Sequence, residues 1–165
     1  MRVVGIDPGT ATTGYGVIEE SRGRLRLIAY GTVCTGAGLP MPSRLLDLHN
    51  RLTELLALHA PDSAAVESLF FQKNVRTAIT VGQARGVILL ALACVGLPVS
   101  EYTPMEIKQA VAGYGGAEKK QVQAMVRAIL ELPEIPQPDD AADALAVAIC
   151  HAHSYKIERL AAEAK

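Results

Sequence analysis

Three strand-like runs open the chain with only short turns between them, and that spacing restricts how the rest can fold. Residues 3–7, 14–18 and 24–34 are rich in β-branched and apolar side chains, punctuated by Pro8-Gly9 and Ser21-Arg22-Gly23. Runs joined this closely pair antiparallel. Two later runs, residues 64–68 and 97–102, each follow a helical stretch long enough for a parallel crossover. The order β-β-β-α-β-α-β followed by further helices is that of an α/β fold, a mixed five-stranded sheet with helices on both faces.

The helical stretches have distinct characters. Residues 43–60 place Leu45, Leu48, Leu52, Leu55 and Leu56 at helical spacing, with Ser43 expected as the cap. Residues 74–95 are apolar almost all round and interspersed with Gly82, Ala84, Gly86 and Ala91, so this helix should be buried on more than one side. Thr103-Pro104 opens a helix that Gly113 ends, residues 117–132 are helical again, and a last helix covers residues 139–153. The chain reads as one domain over residues 1–155 with a polar tail at 156–165.

Asp7 stands at the end of the first buried run, where a carboxylate without a partner is expensive to desolvate, so a cation should meet it. Asp before Pro-Gly is also ordinary turn chemistry, and the decision rests on the other carboxylates. The fourth run carries Glu67. Asp140 and Asp143, at i and i+3, face one way from a small-residue helix that can lie close against a sheet. Helix capping accounts for Asp139 and partly for Asp140, but poorly for Asp143 beside Leu145. Four carboxylates from two strands and a helix, without a Cys or His among them, suit hard cations such as Mg²⁺ or Mn²⁺ rather than zinc. Two such ions about 3.5–4 Å apart promote in-line displacement at a phosphodiester, and Asp7, on the middle strand, is the natural shared ligand.

Composition bounds the remaining choices. With 50% hydrophobic and 20% charged residues the chain has the balance of a soluble protein, and it contains no apolar run long enough for a membrane span. It begins directly with a strand and no basic, apolar leader, from which a cytoplasmic location is expected. Cys34, Cys94 and Cys150 form no metal or disulfide pattern and are expected as core or near-core thiols. His49, His59, His151 and His153 fit no ligand spacing with the carboxylates and read as surface or helix-end residues. Net charge is -1, yet residues 68–127 are net basic and the remainder net acidic, as for an acidic site beside a basic surface.

Gly5-Ile6-Asp7-Pro8-Gly9, Glu67-Ser68-Leu69-Phe70-Phe71, Lys73-Asn74, Gly82-Gln83-Ala84-Arg85-Gly86, Lys108-Gln109, Ala117-Glu118-Lys119 and Asp140-Ala141-Ala142-Asp143-Ala144-Leu145-Ala146 occur in this order. Together they resemble the RuvC-type Holliday-junction endonucleases of bacteria over residues 3 to about 153. The resemblance implies an RNase H-like fold, a homodimer, and Mg²⁺-dependent paired nicking of a four-way DNA junction in recombination and repair. It implies two Mg²⁺ ions per site, replaceable by Mn²⁺, held by Asp7, Glu67, Asp140 and Asp143. Some family members have His where this chain has Asp140, so no imidazole is expected in this site. It further implies that Phe70 stacks on a base near the crossover and that Lys108 and Lys119 lie near the scissile phosphate, with Lys73, Arg76 and Lys120 as further basic candidates. The RuvA-RuvB branch-migration complex is the implied protein partner.

An isolated Phe is usually core. Phe70-Phe71, however, precedes the polar Gln72-Lys73-Asn74, so at least one ring should leave the core, and a base stacked on it contributes about 1–3 kcal/mol. Asp7-Pro8-Gly9-Thr10 followed by Thr12-Thr13-Gly14 also resembles the first phosphate loop of sugar kinases and actin-like ATPases, but the sequence shows no second phosphate loop and is too short for two lobes. A nuclease-fold relative acting on other nucleic acids is a closer alternative. A junction-binding protein without chemistry would be expected to lack one of the carboxylates, and all four are present.

Overall fold

The computed structural model describes residues 1–68 and 75–163. Strands β1 (Arg2–Asp7), β2 (Thr12–Ser21), β3 (Arg24–Cys34), β4 (Ser63–Glu67) and β5 (Val99–Tyr102) form one sheet in the order β3-β2-β1-β4-β5. β1 is central. It pairs antiparallel with β2 and parallel with β4, and β4 pairs parallel with β5, so the chain changes from hairpin to crossover connections at β1. The helices are α1 (Met41–His59), α2 (Val75–Cys94), α3 (Pro104–Ala112), α4 (Lys119–Ile129) and α5 (Asp139–Glu163).

Alternation along the strands divides the core in two. Val4 and Ile6 of β1, with Val17, Ala64 and Val66, face α1 and α2, where Leu48, Leu52, Ile88 and Leu92 cover them. Val3, Ile18 and Ala65 point to the opposite face, beneath α3, α4 and α5. Each fully buried Leu or Ile side chain contributes about 1.5–3 kcal/mol. Asp7 is in phase with Val3, and Glu67 with Ala65, so the same alternation directs both carboxylates toward α5.

α5 approaches the sheet closely because the strands beneath it are notched. A Cβ on Gly5 would collide with Ala144 and Ala148, one on Gly14 with the Asp140 carbonyl, and one on Gly16 with Leu145. The matching helix surface is made of Ala141, Ala144 and Ala148, all buried. Glycine is unfavourable inside strands, and here it is the close approach of a second backbone that requires it.

Several local expectations differ from what forms. α1 begins at Met41, with Pro40 as its cap position and Pro42 in its first turn, so Ser43 is not the cap. Proline's fixed φ and missing N–H suit that first turn, which starts the helix earlier than an expected serine cap would. α3 behaves as read, with a reciprocal Thr103–Glu106 capping box and a left-handed Gly113 at its end. α5 continues to Glu163, past His153. α2 buries Ala84, Ile88, Ala91 and Leu92, while Ile79 and Leu90 are exposed, so within this single chain it is covered along one stripe only. Cys34 and Cys94 are exposed and only Cys150 is buried.

Candidate active site

Parallel register between β1 and β4 pairs Ile6 with Val66, which sets the next residues, Asp7 and Glu67, side by side at the ends of their strands. On the other side of β1, Asp7 pairs with Gly14, and the bare Cα of Gly14 lets the first turn of α5 settle there. Asp140 and Asp143 therefore arrive over the same strand ends. All four sequence-predicted carboxylates belong to one electrostatic cluster, in which Glu67, Asp143 and Asp140 each act on Asp7.

The cluster lacks a counter-charge at its centre. Asp7 forms no salt bridge among the described residues. Burial, and then the charge of Glu67 and Asp143, pushes its carboxyl up from 3.8 to about 8. The raised carboxyl favours a proton shared between Asp7 and Glu67 in the metal-free site. Glu67 is itself raised by burial, partly offset by that hydrogen bond and by Lys119 and Lys108. Asp143 accepts a 2.8 Å bond from Lys119 Nζ, which also lies 3.3 Å from Asp139 Oδ2. Burial alone would lower the Lys119 ammonium, but its bonds to Asp143 and Asp139 outweigh this and hold it above its ordinary value.

A proton between Asp7 and Glu67 and an ammonium on Asp143 occupy the places where a cation's charge is wanted. In this arrangement no three carboxylates among the described residues close on a common point. The donor set nevertheless fits hard divalent ions: every donor is a carboxylate oxygen, and no side chain among the described residues supplies the cation expected beside Asp7.

Glu67, Asp143, Lys108 and Lys119 line one cleft of about 250 Å³, floored by Ile107, Val122 and Ala146. α3 delivers Lys108 and the first turn of α4 delivers Lys119, so both predicted lysines stand beside the carboxylates. The side chains of Phe70, Lys73 and Arg76 lie outside the described residues. A larger groove of about 660 Å³ between α3 and α5, bordered by Met105, Tyr114 and Cys150, includes none of the four carboxylates.

The sequence model described as "Crossover junction endodeoxyribonuclease RuvC" matches residues 3–151, nearly the whole of this arrangement. The chain belongs to the RuvC family. The RuvC protein of Chloroflexus aurantiacus is 63% identical over 154 residues, covering 93% of this chain and 94% of that one. The solved structure of Thermus thermophilus RuvC, 42% identical, superimposes with a TM-score of 0.89 over 96% of this chain and 97% of that one. T. thermophilus RuvC in complex with a Holliday junction substrate, 39% identical, gives a TM-score of 0.88 over 95% and 96% of the two chains. RuvC homology thus agrees with the RNase H-like α/β architecture expected from the sequence.

Two features of this RuvC-family chain escaped the sequence reading. His151 is buried rather than at the surface: Nδ1 is 2.9 Å from the Tyr102 hydroxyl and Nε2 is 3.0 Å from Ser63 Oγ, joining α5 to β4 and β5 on the site's side of the sheet. Its place within Ala148-Ile149-Cys150 and Ala152 was the available signal. The second is the state of Thr10, which the sequence placed only in a stretch resembling a phosphate loop of sugar kinases and actin-like ATPases: its hydroxyl is buried and has no hydrogen-bond partner among the described residues.

Proposed function

We propose that this chain resolves four-way DNA junctions by paired nicks, with Asp7, Glu67, Asp140 and Asp143 holding two Mg²⁺ ions. The observation that carries this reading is the half-buried carboxylate pair at adjoining strand ends, facing two acidic side chains of α5, with no basic side chain among the described residues bonded to Asp7. Two divalent cations bound there would supply the charge that activates a water and stabilises the leaving oxygen of a phosphodiester. Mn²⁺, with the same preference for oxygen and six-fold coordination, is expected to substitute. The protein side chains orient the strand: Lys108 and Lys119 draw its phosphates into the cleft, while Phe70, Lys73 and Arg76 act as further DNA contacts.

Incubating a labelled synthetic four-way junction with the protein and Mg²⁺ tests this. Symmetrically placed nicks in two strands are expected, and EDTA should abolish them. Tight junction binding with no cutting in either Mg²⁺ or Mn²⁺ would reject the nuclease reading. Replacing Lys108 or Lys119 with Ala should each lower the slope of log affinity against log salt by about one unit, the signature of one lost phosphate contact. Unchanged slopes, read by anisotropy across a salt series, would remove the lysines from the DNA path.

Two coordinated cuts call for two sites related by the junction's own symmetry, and a two-fold homodimer supplies them. The open stripe of α2 favours it as the interface: Ile79 and Leu90 are exposed there, and positions Gly82 and Gly86 have empty space around them. Sedimentation should find a dimer at micromolar concentration, and Gly86→Leu should weaken it by tenfold or more. A persistent monomer would reject the dimer, and a Gly86→Leu dimer of undiminished affinity would move the interface off α2. No helix of the described residues is long and apolar enough to cross a membrane. The proposed setting is the cytoplasm, with the RuvA-RuvB branch-migration complex as partner.

A further inference from the structure

A second pocket adjoins the carboxylates on the side away from the lysines. It lies between the Gly9–Thr12 turn, Thr80 and Val81 of α2, and Asp140, whereas Asp143 and Glu67 open on the Lys108–Lys119 cleft. Asp140 is thus the boundary between the two spaces, and a strand with its scissile phosphate at the carboxylates would extend into both.

The turn has sorted its polar groups. The carbonyls of Gly9, Thr10 and Ala11 are all engaged: Thr13 Oγ1 donates to that of Gly9 at 2.7 Å, and the Thr35 amide to that of Ala11 at 3.0 Å. The Thr10 carbonyl accepts from Thr35 Oγ1 at 2.7 Å and from Arg44 Nη2 at 2.9 Å. The donors are unused. Among the described residues the N–H groups of Gly9, Thr10 and Ala11 make no hydrogen bond, and the buried Thr10 hydroxyl makes none either. A buried hydroxyl left unpaired costs free energy, and a set of open donors over a fixed guanidinium selects an acceptor that carries negative charge. The turn is also held in shape, since a Cβ on Gly9 would collide with the Thr12 carbonyl.

We propose that this turn, with Thr10 as its side-chain donor, seats the DNA phosphate next to the scissile one on the Asp140 side of the cut strand. The seat rests on the proposed nuclease reading and adds to it a second fixed point for the strand. With the lysines on one side and the turn on the other, the scissile phosphate is held from both directions.

Junctions carrying a single methylphosphonate, moved one phosphate at a time across the cut site, test the seat, with binding read in EDTA and cutting in Mg²⁺. The wild-type protein should lose about tenfold in affinity at one phosphate flanking the scissile one, the loss expected for a hydrogen bond to a charged group. Thr10→Val should bind the unmodified junction about tenfold more weakly, with a smaller further loss at that phosphate and unchanged losses elsewhere. Thr10→Ser should restore the wild-type pattern. Because the hydroxyl has no partner within the fold, Thr10→Val should melt no lower than wild type. Identical methylphosphonate profiles in wild type and Thr10→Val, full affinity in Thr10→Val, failure of Thr10→Ser to restore the pattern, or a lowered melting point would each overturn the seat. A protein that shows the expected binding pattern but does not cut would support the seat and reject the nuclease reading alone. One that cuts with identical profiles would reject only the seat.

Discussion

Asp7→Asn is expected to lower junction cleavage by a thousandfold or more while leaving junction binding intact, since it removes the central charge from a site whose work is electrostatic. The substitution keeps the size of the side chain and leaves the hairpin, the Gly14 notch and the position of α5 undisturbed. Lys108 and Lys119 are also unaffected, so attraction for phosphates persists. Without divalent ions at neutral pH the variant should bind junctions about as tightly as wild type, because the Asp7 carboxyl is then protonated and the substitution removes no charge. Single-turnover cleavage with a matched gel-shift titration separates the two effects. Normal cutting by Asp7→Asn would remove Asp7 from the reaction, and loss of both binding and cutting would mean that the residue supports the fold.

Strand order and the four acidic positions were readable because they follow from local rules. Short turns force antiparallel pairing, helical crossovers permit parallel pairing, and alternation fixes which face Asp7 and Glu67 share. The resemblance carried the assignment of roles, and residue chemistry independently pointed to hard cations. Other features were set by tertiary contacts. Gly5, Gly14 and Gly16 lie at alternate positions of two paired strands, a pattern that only the approach of α5 explains. His151 looked like a helix-end residue because its partners, Tyr102 and Ser63, are 49 and 88 positions away in the chain. Cys34 faces solvent because it alternates with the buried Val33 at the end of β3, a face that an apolar strand sequence does not reveal. α5 outlasts its core-facing pattern because residues 156–163 are mostly good helix formers and contain no glycine or proline to stop it. The open stripe of α2 has a different origin: its apolar sequence was legible, but no element among the described residues covers that side.

Stability of the metal-free protein should fall as pH rises from about 5 to 8, by on the order of 1 kcal/mol per pH unit. The sign follows from Asp7. Its carboxyl titrates near 3.8 in the unfolded chain and at about 8 in the folded one, so between those values the folded state holds a proton that the unfolded state has released. Raising the pH through this window draws the proton away and favours unfolding. Above about 8 both states are ionised and the contribution levels off. Glu67, also raised by burial, acts in the same direction. Glu19, Asp139 and Glu106 are lowered by their hydrogen bonds, so their effects fall at more acid pH. Chemical denaturation in EDTA at successive pH values, for wild type and Asp7→Asn, isolates the group: the variant's stability should be nearly flat where the wild type's falls, and at pH 8 the variant should be the more stable by several kcal/mol. Mg²⁺ should reverse the order at pH 8, because a bound divalent ion replaces the proton and stabilises only the folded wild-type site. Parallel pH profiles for the two proteins would show that Asp7 is ionised and compensated without metal, and the cation would then have to be sought among the basic side chains.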